Sequence, residues 1–460
     1  MLSFSNAVVA ALSRLISLFF SALFGLWSLL GGVAKEPPAA PDDFTPVLRF
    51  AVCSDVHLSD GSVDREDATP EEIAAALERA ENNTKHFRSL FTDLYAYADA
   101  EEYKNVDALL VVGDFTDAGG EEQYAIFNGV VNEGIRPGTK LLTVMGNHEF
   151  IRYRDEDASV GAEVYRRLMD RETDTHDVIG GYHFIGVSYD EDGRHFKTKR
   201  AWLREQLLEA TKEDPSKPVF VFQHPHPFTT VYGSVNWGDS DIRAVLSGFP
   251  QVVDFSGHSH YAASDPRSVW QGAFTAVGTG ATCAYMSNLN YVSGDEDAPG
   301  ESGGFWIVEV DADGRVRLRL MDTVNHALFE GAECFLTNAA DPTKRLYTWG
   351  NRMSLDTAPV FPENAVPELR RGEDGEALLC FPDAAGYYDA ESYKITVTAN
   401  GLHNDFNGTV VSDYVRAVHT GMAVPLGDLP SAEYRVTVTA FSPYGKKGET
   451  LTATLALPPV

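Results

Sequence analysis

Short apolar runs alternate with longer amphipathic stretches from Val47 to about Ser268. The runs "VLRFAV" (47–52), "DALLVV" (107–112), "KLLTVM" (140–145), "HFIGVSY" (183–189), "PVFVFQ" (218–223) and "QVVDFS" (251–256) have the length and composition of buried strands. Between them, Pro70–Tyr103 opens with a proline and two acids and then carries apolar residues at helical spacing. Further helices are predicted near Glu121–Val131 and Lys199–Thr211. Strands alternating with helices predict an α/β core with largely parallel pairing. After Ser268 the pattern is mostly strands, to about Met321. From about Leu346, "YKITVTA", "TVVSDYV", "YRVTVTAF" and "LTATLAL" alternate apolar and polar positions without helical interludes, which predicts a small all-β sandwich.

The polar residues fall at particular places in this pattern. "SDVH", "GDFTD", "GNHE", "QHPHP" and "SGHSH" each follow the C-terminal end of an apolar strand. In open α/β sheets that edge forms the ligand crevice. His57, His148, His224, His226, His258 and His260, six of the 13 histidines, lie in these segments. In "GHSH", residues i and i+2 of an extended chain point to one side, so His258 and His260 can aim at one spot. Taken alone, the segment reads equally well as a surface turn. His86, His176, His183, His195, His326, His403 and His419 read as surface or packing residues.

Composition narrows the chemistry. The 460 residues carry a formal charge of -30, which argues against nucleic-acid binding. It leaves room for a small anionic substrate, because bound metal ions reverse the local field. The four cysteines (Cys53, Cys283, Cys334 and Cys380) are far apart, so neither a disulfide framework nor a thiolate zinc site is expected. Leu15 to Ala34 is free of charge and long enough to span a bilayer as a helix. It is expected to be an uncleaved N-terminal anchor or a removed signal, with a buried core helix as the remaining reading. Either main reading places the body of the protein outside the cytoplasm. "KEPPAAPDD" then reads as a polar, proline-rich linker.

Asp, His and Asn ligands without Cys suit divalent Mn, Fe or Zn. Asp55 and His57 can reach one ion, and Asp114 has two oxygens with which to bridge a pair. Asn147, His224, His258 and His260 complete seven candidate ligands. Such a set suits two ions about 3.5–4 Å apart, the clamp used for in-line displacement at phosphorus, with a bridging water acidified to hydroxide.

The ordered blocks "DVH", "GDFTD", "GNHE", "QHPHP" and "GHSH" together resemble the calcineurin-like metallophosphoesterase superfamily. That resemblance implies a four-layer αββα sandwich and a dinuclear centre. One ion would take Asp55, His57, Asp114 and His260, and the other Asp114, Asn147, His224 and His258. Asp114 bridges and, with His148, is the expected catalytic residue. His148 would stabilise phosphoryl oxygens or protonate the leaving group, and Asn147, His148 and His226 would face substrate. Asp117 and Glu149 would orient histidines, although Asp117 could equally cap the next helix. "QHPHP" leaves the choice between His224 and His226 as ligand open, with His224 favoured because it directly follows the strand.

Purple acid phosphatases have tyrosine where Asp117 stands, and 5'-nucleotidases have a larger C-terminal domain. The blocks look most similar to the phosphodiesterase-like branch. "YRVTVTAFSPYG" resembles fibronectin type III domains, with Phe381 in place of their usual tryptophan. The expected division is an anchor or signal over 1–35, a linker over 36–46, a catalytic domain over 47–323, a connection over 324–356 and the β-sandwich over 357–460. The loops Ala284–Gly304 and "VYGSVNWGDSD" are expected to line the cleft, through Tyr285, Asn288, Asn236 and Trp237. The expected function is hydrolysis of a small phosphate diester. A monoesterase and a catalytically inactive surface binding protein are the alternatives.

Overall fold

In the computed structural model the chain is described at residues 34–63, 67–154, 157–285, 302–399 and 405–459. The apolar run from Leu15 lies outside these residues except for Ala34, as does most of the loop after Tyr285, Asn288 included. No described helix is long and apolar enough to cross a membrane.

Strands β1 (Pro46–Cys53), β2 (Ala108–Val112) and β3 (Lys140–Val144) pair in parallel in a first sheet. A second sheet is made by β4 (Thr175–Ile179), β5 (Tyr182–Gly186) and β6 (Val219–Phe222). After a short pair, β7 (His226–Pro227) and β8 (Gly238–Asp239), it is completed by β9 (Val252–Ser256), β10 (Val269–Gln271) and β11 (Thr275–Gly278). Its order is β10-β11-β9-β6-β5-β4, parallel from β11 to β5. The chain then returns to the first sheet as β12 (Gly304–Asp311), β13 (Val316–Asp322), β14 (Ala327–Leu328) and β15 (Cys334–Leu336). The last two strands fall in the stretch read from sequence as a connection.

Alternation along each strand decides which layer it faces. Leu48, Phe50 and Val52 point inward against Phe184, Phe220 and Phe255 of the other sheet. The Phe50 ring is 4.8 Å from that of Phe220 and 5.1 Å from that of Phe184. Ala51, Cys53, Leu109 and Val111 point outward, into a core with Phe87, Leu90 and Leu94 of α1 (Pro70–Ala100) and Phe127 of α2 (Glu121–Gly134). Ile185, Val219 and Val221 do the same with Leu203 and Leu207 of α4 (Arg200–Glu213), which follows α3 (Ser159–Met169). The result is the expected αββα sandwich. Each fully buried Phe or Leu side chain contributes about 1.5–3 kcal/mol to holding the layers together. The start of α1 is fixed by a capping box between Thr69 and Glu72, with Pro70 in the first turn.

The C-terminal region packs two antiparallel sheets over one core. β16 (Glu368–Arg371), β17 (Ala377–Phe381) and β20 (Met422–Pro425) form one, in the order β16-β17-β20. β18 (Ser392–Ala399), β19 (Phe406–Val411), β21 (Glu433–Phe441) and β22 (Lys447–Ala456) form the other, in the order β19-β18-β21-β22. The hydroxyl of Tyr434 donates to the carbonyl of Pro430 at 2.7 Å, a tyrosine-corner contact compatible with a fibronectin type III-like domain. Phe381 is buried in this core against Tyr393.

Candidate metal centre

The loops after β1, β2, β3, β6 and β9 emerge at the carboxyl edges of the two sheets, and neighbouring backbones lock them together. The N–H of Asp55 donates to Gly113 O at 3.1 Å, and that of His57 to Asp114 O at 3.0 Å. Gly257 N–H donates to His224 O at 2.8 Å. Such close approach explains the glycines. Gly113 has a φ of +82°, and a Cβ there would stand 2.6 Å from Nδ1 of His224. A Cβ at Gly146 would overlap the Asp114 carboxylate.

Five of the nine non-glycine residues with positive φ in the described chain are candidate ligands. They are Asp55 (50°), His57 (48°), Asp114 (49°), His258 (74°) and His260 (54°). Side chains rarely adopt this region, and it persists where surrounding structure imposes it, often at functional sites. It also corrects the reading of "GHSH" as an extended segment with two histidines on one side. His260 turns toward Asp55 and His57, whereas His258 turns toward Asp114 and His224.

Two clusters result. In the first, His260 Nε2 lies 3.2 Å from Asp55 Oδ1 and 3.1 Å from His57 Nε2. In the second, ligand atoms of Asp114, His224 and His258 all lie within 4.8 Å of one another, with His224 Nε2 2.8 Å from Asp114 Oδ2. Asp114 is also within that reach of His57 and His148, so its carboxylate stands between the clusters. His224 Nδ1 donates to Val112 O at 2.8 Å, which fixes the ring and turns Nε2 to the centre.

The donor set fits divalent cations. Asn147 Oδ1, His224 Nε2 and His258 Nδ1 are buried without an aligned hydrogen bond, a costly arrangement that coordination would satisfy. Burial alone would raise both carboxyls, yet His260 and His224 hold Asp55 below the usual range, and His224 and His148 do the same for Asp114. Burial pushes His258 down to about 3, which keeps it a neutral ligand. Burial would lower His224 too, but Asp114 and Asp55 outweigh it and bring it up to about 9. Cations beside those carboxylates would displace its proton.

The neighbouring residues divide. His148 donates its backbone N–H to Asp114 Oδ1 at 2.8 Å and its Nδ1 proton to Asp117 O at 2.6 Å, which leaves Nε2 on the partly exposed side, 3.9 Å from Asp114 Oδ2. Asp117 stands 3.5 Å from His57 Nδ1, whereas α2 is capped at Gly120, so the orienting role fits and the capping role does not. The Glu149 carboxylate hydrogen-bonds to no histidine among the described residues. It accepts from the backbones of Asp114, Thr116 and Gly146 and from the Thr116 hydroxyl, and so pins two ligand loops together.

His226 departs from expectation. It is buried, with Nδ1 3.0 Å from the Ser256 hydroxyl and Nε2 2.8 Å from that of Ser259, so neither nitrogen is left for substrate. Trp237 does reach the site, its ring edge-to-face with His258 at 5.1 Å. Asn236 donates its backbone N–H to Gly233 O at 3.0 Å, and Tyr285 is fully buried rather than lining a cleft. Sequence reasoning missed two neighbours. Arg154 donates to Asn147 O at 3.1 Å, and Cys283 Sγ lies 3.9 Å from His260 Nδ1. Neither carries a motif; only their tertiary position identifies them.

The family model described as calcineurin-like phosphoesterase matches residues 48–262. That family implies a dinuclear metal centre, and the clustered Asp and His residues are compatible with one. No curated protein matches the chain. Among solved structures, a purple acid phosphatase from yellow lupin (Lupinus luteus) seeds is similar at 15% identity with a TM-score of 0.43. The match covers 66% of this chain and 55% of that one, so the chain spans about half the phosphatase's length. An endo-β-1,4-mannanase from Thermotoga petrophila overlaps at 10% identity and a TM-score of 0.24, over 82% of this chain and 95% of that one.

Proposed function

We propose that the chain, whose residues 48–262 match the calcineurin-like phosphoesterase model, is a metal-dependent phosphoric ester hydrolase that cleaves a small phosphodiester. Asp55, His57, Asp114 and His260 would hold one divalent ion, and Asp114, Asn147, His224 and His258 the other. The observation that carries this reading is the Asp114 carboxylate, within ligand distance of histidines from both clusters. When bound, two such ions supply Lewis acidity and an acidified water for in-line displacement at phosphorus.

The chain's own residues do the rest. Asp114 fixes the spacing of the clusters and, through its Oδ1, the backbone of His148. With Nδ1 committed to Asp117 O, His148 presents Nε2 to the open side, where it can donate to a phosphoryl oxygen or to the departing alkoxide. Asn147 orients substrate beside it. A diester carries one negative charge, fewer than a monoester dianion. That fits a cleft whose neighbouring cation, Arg154, is already bonded to Asn147 O.

The test is turnover of bis-p-nitrophenyl phosphate against p-nitrophenyl phosphate after chelation and reconstitution with Mn, Fe or Zn. Two ions per chain and a higher kcat/KM for the diester are expected. The reverse preference makes the protein a monoesterase. Fewer than two ions and no hydrolysis would favour a surface binding protein. We also place the catalytic body outside the cytoplasm, on the uncharged run Leu15–Ala34. Cell fractionation with and without residues 1–35 tests that placement.

A further inference from the structure

The segment between β7 and β8 lies directly on the loop that carries His258 and His260. Trp237 meets the His258 ring, and the Tyr232 ring packs at a tilt of 49°, 4.5 Å from that of Tyr261. Gly233 has a φ of +85°, and a Cβ there would stand 2.7 Å from the Ser259 Cβ. No side chain therefore fits between the two segments, and displacement of one moves the other.

This segment is held from the far side by the C-terminal sandwich. Glu391 directly precedes β18, and its backbone is fixed there by Phe441 O at 2.8 Å and Ser412 N at 3.0 Å. Its carboxylate leaves the sandwich and accepts from the Tyr232 hydroxyl at 3.0 Å and from Arg267 Nη2 at 2.5 Å. The Arg267 guanidinium lies 3.8 Å over the Tyr232 ring, pairs with Asp265, and has its carbonyl bonded to Tyr232 N–H at 3.1 Å. A second tie is independent of the first. Trp349, in the connecting helix Trp349–Leu355, donates Nε1 to Thr230 O at 3.1 Å and packs edge-on against Tyr444 of the sandwich.

We propose that the C-terminal sandwich is a brace of the metal centre, with Glu391 as a positioning residue that acts through Tyr232 and Trp237 on His258. This rests on the reading of His258 as a metal ligand given above. A misplacement of about 1 Å at a catalytic centre can lower turnover about 100-fold, so a brace remote from the chemistry can still govern rate.

The test compares full-length Glu391→Ala and Glu391→Gln with Tyr434→Phe. Tyr434 donates to Pro430 O at 2.7 Å and pairs with the Ala399 end of β18, so its variant weakens the sandwich at the end away from Glu391. Two readouts are taken on metal-loaded protein: kcat on bis-p-nitrophenyl phosphate, and the 19F resonance of Trp237 in fluorotryptophan-labelled protein, assigned by its loss in Trp237→Phe. Glu391→Ala should shift the Trp237 resonance and lower kcat about tenfold or more with little change in KM. Glu391→Gln, which can still accept from Tyr232, should recover most of both, and Tyr434→Phe should change neither. An unmoved resonance and unchanged kcat in Glu391→Ala overturn the proposal. A wild type without diesterase activity would sink the functional reading, yet leave the resonance shift as a decision on the brace.

Discussion

The backbone N–H of His258 lies 3.0 Å from Oδ2 of Asp55, 203 residues upstream. A main-chain donor of the last ligand loop thus closes on the side chain of the first. The two loops come from different sheets, so the sandwich of layers and the centre assemble as one unit. Asp55 is engaged on both sides, by this N–H and by the Ser54 hydroxyl, and its other oxygen is turned to His260.

Asp114→Asn should remove the shared anionic ligand while keeping the side chain's shape. Turnover is expected to fall by about 1,000-fold or more, since the paired-ion clamp accounts for several kcal/mol of transition-state stabilisation. Metal analysis of the purified variant should find fewer than two ions per chain. Full activity with two ions would remove Asp114 from the bridging position.

His148→Ala tests a different role. Its side chain has no place among the seven ligands, so both ions should remain bound while kcat falls by about 100-fold to 10,000-fold, the usual range for general acid–base groups. Substrates with a better leaving group should be less affected. A variant that loses metal would make His148 a ligand.

Glu149→Gln should act on stability before it acts on chemistry. The carboxylate accepts from three backbone N–H groups and one hydroxyl, and an amide would set its own donors against some of them. A loss of about 2–3 kcal/mol is expected in urea denaturation, the size of an unsatisfied buried polar group. An unchanged midpoint would mean that the two loops hold their positions without it.

These loops also mark how far the chain could be read in advance. The convergence of the loops that carry Asp55, His57, Asp114, Asn147, His224, His258 and His260 was legible because each follows an apolar strand, and parallel strands align their carboxyl ends. The parallel core was legible for the same reason. What failed were inferences that depend on one side chain's tertiary surroundings. His226 reads like His224 in "QHPHP", but only the folded chain brings Ser256 and Ser259 to its two nitrogens. The "GHSH" geometry was drawn from strand alternation, whereas both histidines sit at positive φ. Strands β16, β17 and β20 were not distinguished individually, being short and partly exposed. "SDYV" within an apparent strand caps a single 3-10 turn through the Ser412 hydroxyl.

Asp254 gives a pH prediction away from the metal ligands. It lies wholly inside β9, and burial holds its carboxyl well above the usual range; Gln223 offsets part of this without an aligned hydrogen bond. Its folded-state pKa is raised, so its contribution to stability is full below the unfolded value of about 3.9 and is lost as pH rises above that. Relative to Asp254→Asn, the wild type should weaken by about 1.4 kcal/mol per pH unit through this window. Urea denaturation of both proteins at several pH values from 4 upward measures the gap. Parallel curves would mean that the folded protein carries Asp254 ionised.

The left-handed turns at Asp55, His57, Asp114, His258 and His260 are written into the fold by the sheets on either side. Their strain, about 1–3 kcal/mol apiece, is met when the polypeptide first compacts, not when cargo arrives. Were the proposed ions to bind, the sheets would set where these five side chains stand, and the choice of element would follow that geometry, the ligand types and local supply together.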